Sequence, residues 1–428
     1  MSQISGSECF TIDGEQRLEG EVEISGAKNA ALPAMAASLL TADECIVDNV
    51  PDIDDVHVMV DVLRSLGASA DRLDIHRWRI CAEKVDTFVA PSHLVKRMRA
   101  SFLVMGPLLS RFGQAASCAP GGDVIGQRPI DVHLAGFAAL GARLWQDGEV
   151  YHAEAKSLNG RKIFMDYPSH IGTENLLMAA VLAKGRTTLI NASGEPEVVD
   201  LAKMLIAMGA SIQGAGTSKI EIDGVSELHG VNHWVIPDRM EAGTFAIAAA
   251  ISQGEVTIKN VVCSHLESLI WKLGEIGALA YEGDNQLTVV GKRPLRGAAI
   301  QALPYPGFAT DLQAALGALL TQAVGKSVVH ERVYDNRLLY THELRKMGAQ
   351  IELTMPQLAV ITGPATLTGT TVKALDIRSA AALVLAALAA HGQTTILDIY
   401  HLERGYEGFE EKLKLLGAKI GRIRLPIS

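Results

Sequence analysis

Cysteine is scarce: the chain has five, at Cys9, Cys45, Cys81, Cys118 and Cys263. The number is odd and no two are spaced C-x-x-C, which speaks against a disulfide framework or a thiolate zinc site. Long apolar runs are missing as well. The longest without a charge, Ala380 to Ala390, has 11 residues, against the ~20 that a membrane span needs, so it reads as a buried helix. Residues 1–10 have neither a basic start nor an apolar stretch and do not read as a signal peptide. The chain is therefore expected to be soluble and cytoplasmic. There is no excess of positive charge: 39 Lys and Arg stand against 48 Asp and Glu, a net charge of −9. That argues against nucleic acid or a membrane as partner and leaves room for a local group of cations around an anionic ligand. No H-E-x-x-H, G-x-S-x-G or G-x-G-x-x-G occurs, so metal-assisted and serine-hydrolase chemistry lose their usual support. Gly325-Lys326-Ser327 resembles the end of a Walker A loop, but Leu320 stands where the required glycine belongs. Neither a metal nor a cofactor is expected.

What the chain does have is core material and a period. Its 428 residues are 48% hydrophobic and 20% charged, enough for two or three domains with cores of their own. An apolar residue followed by Gly-Ala closes a helical pattern six times: Leu66-Gly67-Ala68, Leu140-Gly141-Ala142, Met208-Gly209-Ala210, Ile276-Gly277-Ala278, Met347-Gly348-Ala349 and Leu416-Gly417-Ala418. Successive glycines lie 74, 68, 68, 71 and 69 residues apart, so six units fill the chain. In each, a helix such as 56–66 ends at the glycine, where a left-handed cap is wanted. A strand follows, for example 211–222. Earlier in the unit lies an Ala-rich helix (32–40, 176–182, 245–251, 380–388), then a β-branched strand (187–191, 255–260, 394–398). The unit reads α-β-α-β-β. Helices with small buried faces belong at the centre of a bundle with sheets outside, which predicts two groups of three around pseudo-threefold axes. Unrelated αβ pairs would not keep so regular a spacing.

Several segments break the repeat's grammar. Ser25-Gly26-Ala27-Lys28-Asn29 puts a cation and an amide at the start of an Ala-rich helix, a place that suits an anion. Residues 120–131 place three glycines, Asp123, Arg128 and Asp131 in one loop, the composition of a mobile lid. Thr310-Asp311 starts another Ala-rich helix, where Asp311 is either a cap or a base for a substrate hydroxyl. Asp376-Ile377-Arg378 and His401-Leu402-Glu403-Arg404 each put an arginine before a helix, and Arg99 opens one; taken singly, each reads as a surface ion pair. Cys118 and Cys263 read as small buried hydrophobes, His133 and His170 as hydrogen-bonded rather than metal-ligating.

Taken together and in order, the Gly-Ala-Lys-Asn start, the Pro120-Gly121-Gly122 loop, Pro237-Asp238-Arg239-Met240-Glu241-Ala242-Gly243-Thr244, Thr310-Asp311, Asn336-Arg337, Asp376-Ile377-Arg378 and Arg404-Gly405-Tyr406-Glu407 resemble the UDP-N-acetylglucosamine 1-carboxyvinyltransferase family over nearly the whole chain. The resemblance implies an α/β fold of two inside-out barrels of three repeats each, with a cleft between them. Residues 28–235 would form the first barrel and carry the lid (118–131); 1–27 and 236–428 would form a discontinuous second one. It implies transfer of the enolpyruvyl group of phosphoenolpyruvate to the 3-hydroxyl of UDP-N-acetylglucosamine with release of phosphate, the first committed step of peptidoglycan synthesis. Lys28, Asn29, Arg128 and Arg404 would hold phosphoenolpyruvate. Arg99, Arg128, Pro129, Ile130, Asp131, Val132, Ser169, Thr310, Asp311 and Val333 would meet the sugar nucleotide, although the segment Tyr167-Pro168-Ser169-His170-Ile171 varies among relatives. Asp311 would act on the sugar hydroxyl, with Arg337, Asp376 and Arg378 in support. The shikimate-pathway enolpyruvyl transferase is a rival, but it typically has Gly-Ser-Lys-Ser where this chain has Gly-Ala-Lys-Asn. A non-catalytic repeat protein that binds a nucleotide sugar would be expected to lack some of Lys28, Arg128, Asp311 and Arg404; all four are present.

At one place the chain departs from the common pattern. Asp123 stands where most members carry a reactive lid cysteine, and Cys118 is five residues away. A carboxyl group raised in pKa by burial can still donate a proton, so Asp123 is the expected acid. Fosfomycin, which alkylates the family's cysteine, is expected to leave this protein unmodified: its activity should show no time-dependent loss during incubation with the drug, and a covalent adduct with progressive inactivation would contradict that.

Overall fold

Each of the six repeats begins with a helix built mainly from Ala, Leu, Met and Gly. In chain order these are α1 Lys28–Ala37, α2 Met105–Phe112, α3 His170–Ala180, α4 Arg239–Ile251, α5 Thr310–Leu320 and α6 Ile377–Ala389. The computed structural model describes residues 7–122, 126 and 130–425. Every residue of α4 is buried, as is α6 from Ile377 to Leu388. Such a helix must be approached on all sides, which small side chains permit. A Cβ on Gly243 of α4 would lie 2.7 Å from Leu312 Cδ1 of α5, and one on Gly106 of α2 would lie 2.4 Å from Asn175 Oδ1 of α3. Packing at that spacing leaves no room for another methyl group.

After its first helix each repeat adds a strand, a second helix and an antiparallel strand pair, a hairpin in the first five. The third repeat shows the plan: Arg186–Ile190, Pro196–Ala207, Ser211–Gln213 and Lys219–Asp223. In five sheets a fourth strand from the segment before the repeat's own first helix, or before another repeat's, pairs in parallel with the first strand. The sheet of Gln114–Cys118, Arg143–Asp147 and Val150–Glu154 has three strands and a single bridge, Val89 to Ala116, in place of the fourth. Strands such as Glu255–Lys259 bury alternate residues, so one face of each sheet packs on the helices and the other faces outward.

Two separate hydrophobic cores form, one around α1, α2 and α3 and one around α4, α5 and α6. They belong to two units. One begins at Gly26 and ends at Ile236; the other takes up the chain before Gly26 and again from Pro237. The resemblance places these limits at 28 and 235. Strand Ser7–Asp13 pairs with Gln393–Leu397 and Ile420–Leu425, so the start of the chain completes the sheet of the last repeat. Each unit is an inside-out α/β barrel: three repeats, helices within and sheets without.

The six repeat glycines, Gly67, Gly141, Gly209, Gly277, Gly348 and Gly417, all have φ between +97° and +108°, the left-handed region in which a Cβ is strained. A second periodic device is subtler. Asn49, Asn191, Asn260 and Asp398 follow the first strand of their repeats with φ of 57–60°. The Asn49 amide donates to Val235 O, Asn191 to Met165 O and Asn260 to Ile24 O, at 2.7–2.8 Å. Asparagine tolerates this backbone and its side chain fastens the end of the neighbouring parallel strand. Two expectations need correcting. Residues 211–222 are not one strand, because the left-handed Gly214 and Gly216 turn the chain between Ser211–Gln213 and Lys219–Asp223. The Ala-rich helices also begin three to six residues earlier than their apolar runs, since their first turns carry polar side chains.

Gly277 and Gly274 should respond to alanine with opposite signs. At Gly277 (φ +104°) the nearest foreign atom is 3.7 Å from a Cβ, so Gly277→Ala meets backbone strain alone, about 1–2 kcal/mol. Gly274, within helix Glu267–Ile276 with nothing within 4 Å, should gain about 0.5–1 kcal/mol from Gly274→Ala. Urea midpoints of the two variants measure both.

Candidate functional site

Asp311 lies in the first turn of α5, yet it is not a cap. The residue preceding α5 is Ala309, and no side chain caps that helix. Its carboxylate turns instead to two guanidinium groups: Arg337 Nη2 donates to Oδ1 at 2.8 Å, and Arg378 Nε and Nη2 reach Oδ2 at 3.0 and 2.9 Å. Both arginines are 4% exposed. Burial opposes their charge, but the Asp311 and Asp376 carboxylates outweigh it at Arg337, and Asp311 does so at Arg378, so both pKa values stand above the ordinary arginine value. Fixed charge on both sides orients the Asp311 carboxylate, and its side chain keeps 26% exposure. Arg337 Nε and Arg378 Nη1 are buried with no hydrogen-bond partner among the described residues.

Asp376 is the N-cap of α6. It accepts from Arg378 N at 2.9 Å and Ser379 N at 3.1 Å, and Ser379 returns the bond in a capping box. Arg378 therefore lies inside the first helical turn, not before the helix, and buried, not in a surface pair. Its guanidinium sits 5.2 Å from the ring centre of Tyr406, whose hydroxyl bonds Thr244 Oγ1 at 2.8 Å. Thr310 Oγ1 donates to Glu331 Oε2 at 2.8 Å, and Glu331 Oε1 accepts from Val333 N at 2.7 Å and Tyr334 N at 3.2 Å. Two networks, Thr310 with Glu331 and Val333, and Asp311 with Arg337, Arg378 and Asp376, thus meet at the neighbouring residues Thr310 and Asp311 in one unit. Arg404 lies in the same unit, closing the short helix Tyr400–Glu403 two residues before Tyr406.

The remaining described residues of the expected site lie in the other unit. Lys28 opens α1, is 9% exposed, and its Nζ meets Asp55 Oδ2 at 3.1 Å; Asn29 follows it. Arg99 begins the 3-10 turn Arg99–Val104 rather than an α-helix, and that turn packs on α1 and α3. Asp131 starts helix Asp131–Ala139, with Ile130 just before it and Val132 next. Ser169 is the N-cap of α3, its Oγ accepting from Gly172 N at 3.1 Å. A Cβ on Gly172 would lie 2.9 Å from both Ser169 Oγ and Val132 Cγ1, so these two starts meet. His133 is buried beneath them, bonded to Asn175 at 3.0 Å, and burial followed by the nearby charge of Arg99 lowers its pKa to about 3. Asp123, Arg128 and Pro129 lie outside the described residues.

Glu331, Asp55 and Tyr406 are partners that sequence reasoning left unassigned. Glu331 ends a strand, Asp55 reads as one of three acids before a helix, and nothing local announces either. Cys118 is buried as expected, but Cys263 is only half-buried. Among the described residues His170, Glu195 and Glu197 set one donor atom each within 4.8 Å of one another, a spacing open to a divalent cation. Both ring nitrogens of His170 are already engaged there: Nε2 with Glu174 at 2.9 Å and Nδ1 with Glu195 at 2.7 Å. No helix among the described residues is long and apolar enough to cross a membrane.

Residues 12–413 match the family model described as EPSP synthase (3-phosphoshikimate 1-carboxyvinyltransferase). Among named relatives, UDP-N-acetylglucosamine 1-carboxyvinyltransferase 1 of Caldanaerobacter subterraneus subsp. tengcongensis is 50% identical over 413 residues, covering 96% of this chain and 99% of its own. UDP-N-acetylglucosamine 1-carboxyvinyltransferase 2 of Carboxydothermus hydrogenoformans is also 50% identical, over 97% and 99% of the two chains. The crystal structure of the enolpyruvyl transferase NikO from Streptomyces tendae superposes with a TM-score of 0.88 at 27% identity, over 98% of this chain and all of that one. EPSP synthase from Acinetobacter baumannii shares the fold, with a TM-score of 0.76 at 18% identity over 98% of this chain and all of that one.

His133 makes stability depend on acid. Neutral in the fold, it takes up a proton on unfolding at any pH below its ordinary value of 6.5, so the stability present above pH 6.5 is lost as the pH falls toward about 3. His133→Gln, which keeps a hydrogen-bonding side chain, should lose less of its urea midpoint between pH 7 and pH 5 than the parent does; equal losses would contradict the assignment.

Proposed function

The chain belongs to the family of UDP-N-acetylglucosamine 1-carboxyvinyltransferases, within the wider EPSP synthase family, and on that premise we propose that it transfers the enolpyruvyl group of phosphoenolpyruvate to the 3-hydroxyl of UDP-N-acetylglucosamine, in the cytoplasm, for peptidoglycan synthesis. The reading rests on identity to relatives of that name along almost the entire chain, with the motifs quoted above present in order and Asp123 in place of the lid cysteine.

The residues suit the chemistry. Phosphoenolpyruvate is a compact polyanion, and Lys28, Asn29, Arg128 and Arg404 are proposed to hold it. Arginine grips carboxylate or phosphate with a planar fork. Lys28 at the start of α1 adds the positive end of a helix to its own charge. A proton delivered by Asp123 to the methylene carbon makes the adjacent enol carbon electrophilic. The sugar hydroxyl attacks that carbon as Asp311 takes its proton. The tetrahedral adduct then loses phosphate and a methyl proton, restoring the carbon–carbon double bond on the new ether. Asp311 can do this because Arg337 and Arg378 fix its oxygens while leaving the group reachable, and general acid–base steps of this kind contribute about 10²–10⁴-fold. Arg99, Arg128, Pro129, Ile130, Asp131, Val132, Ser169, Thr310 and Val333 are proposed to align the sugar nucleotide. Alignment of two substrates supplies much of the remaining acceleration.

Phosphate release from phosphoenolpyruvate tests the substrate directly. It should require UDP-N-acetylglucosamine and should not occur with shikimate 3-phosphate; the reverse pattern would move the chain to the shikimate reaction. Asp123→Asn should lose most of the turnover in the same assay, and full activity would exclude Asp123 as the proton donor.

A further inference from the structure

His170 opens α3 immediately after Ser169, and the chemistry above makes no use of it. Its ring lies between two carboxylates, Glu174 one turn along α3 and Glu195 on the loop entering helix Pro196–Ala207. A neutral imidazole carries one N–H and can donate to only one of them; donating to both takes the imidazolium. Burial opposes that charge, yet Glu174 and Glu195 outweigh it and hold the pKa of His170 well above 6.5. Glu195 occupies the N-cap position of its helix without making a capping bond, and its carboxylate faces the histidine instead. A second, uncharged link joins the same two segments: Ser193 N donates to Thr173 Oγ1 at 3.0 Å, and Thr173 Oγ1 donates to Ser169 O at 2.8 Å. With Ser169 Oγ bound to Gly172 N, the residue expected to meet the nucleotide is held at its hydroxyl and its carbonyl by a turn that the His170 pair ties to the neighbouring loop.

We propose that His170 is a positioning residue for the sugar nucleotide: as an imidazolium clamped by Glu174 and Glu195, it locks the 193–195 loop onto the first turn of α3 and so sets Ser169 where the nucleotide binds. This rests on the reading that Ser169 contacts UDP-N-acetylglucosamine. The groups around the ring are Glu174 on its own helix, Glu195 on the loop, and Glu197, which repels the charge of Glu174. The other elements packed on α3 bring Arg111 from α2, Arg99 from the 3-10 turn, Asp131 and His133 from helix Asp131–Ala139, Asp200 and Lys203 from helix Pro196–Ala207, and Lys219, Glu221 and Asp223 from strand Lys219–Asp223. Because the folded pKa of His170 is raised, the lock is present at and below pH 6.5 and is lost as the pH rises through the higher value.

The test compares the parent protein with His170→Gln in steady-state kinetics from pH 6 to 9, alongside nitrogen NMR of the His170 ring. At pH 7 the variant should raise the KM for UDP-N-acetylglucosamine about tenfold, equivalent to 1.4 kcal/mol, with kcat and the KM for phosphoenolpyruvate nearly unchanged. The parent's KM for the sugar nucleotide should climb with pH while the variant's stays level, and NMR should find both ring nitrogens protonated at pH 7. An unchanged KM, a parallel fall in kcat, identical pH profiles or a neutral ring would each overturn the proposal. If His170→Gln does not fold, Glu195→Gln, which weakens the same clamp, carries the same expectations. A parent protein that releases no phosphate with UDP-N-acetylglucosamine would refute the proposed function instead, and the NMR result would still decide the state of the ring.

Discussion

Everything in each barrel follows from three helices packed so closely that small apolar side chains dominate their later turns. Where α4 meets α5, the contact at Gly243 has no space for a Cβ. Chemistry is therefore pushed to the helix starts, where the chain has not yet entered the packed centre and unpaired backbone N–H groups need partners. The residues there bear this out: Lys28 and Asn29 at α1, Ser169 and His170 at α3, Asp238 and Glu241 at α4, Thr310 and Asp311 at α5, Asp376 and Arg378 at α6. Some serve the helix itself. Asp238 caps α4 through Met240 N and Glu241 N. Glu241, driven by burial to a pKa of about 7, accepts from Ser25 N at 2.9 Å and from Lys412. Others, such as Asp311, are held by side chains from different repeats and remain reachable.

That division explains what could be read in the sequence. Six Gly-Ala closures at nearly constant spacing required a repeat, and the left-handed φ at all six glycines is the physical reason they recur. The Ala-rich runs marked the buried helices, but not their beginnings, because a polar first turn looks like a loop until the packing around it is known. The partners of Asp311 came from the family resemblance alone. Arg337 and Arg378 lie 26 and 67 residues away, on other elements, and no local pattern joins a helix-start aspartate to arginines at those distances. Arg378 alone resembles a solvated cation; the fold makes it a buried one. The His170 pair was hidden for the same reason, since Glu195 reaches it from the far side of a strand and a loop.

The family resemblance and the fold explain different things. Motif order led to the reaction, including the place where this chain carries Asp123 instead of cysteine. The fold explains why Asp311 suits a base: a carboxylate gripped at both oxygens has little freedom to lose on reaching the transition state, so its orientation is settled before substrate arrives. The arginines that grip it are themselves fixed, Arg378 by the first turn of α6 and the ring of Tyr406, Arg337 by burial beside Tyr334.

The central claim is that this preset carboxylate accepts the proton of the sugar hydroxyl. The most direct measurement is the turnover number of Asp311→Asn with both substrates saturating, next to calorimetric binding of UDP-N-acetylglucosamine to the same variant. Asparagine keeps the shape but not the basicity, so turnover should fall about 10²–10⁴-fold while the sugar nucleotide still binds. Turnover within a few-fold of the parent would contradict the account.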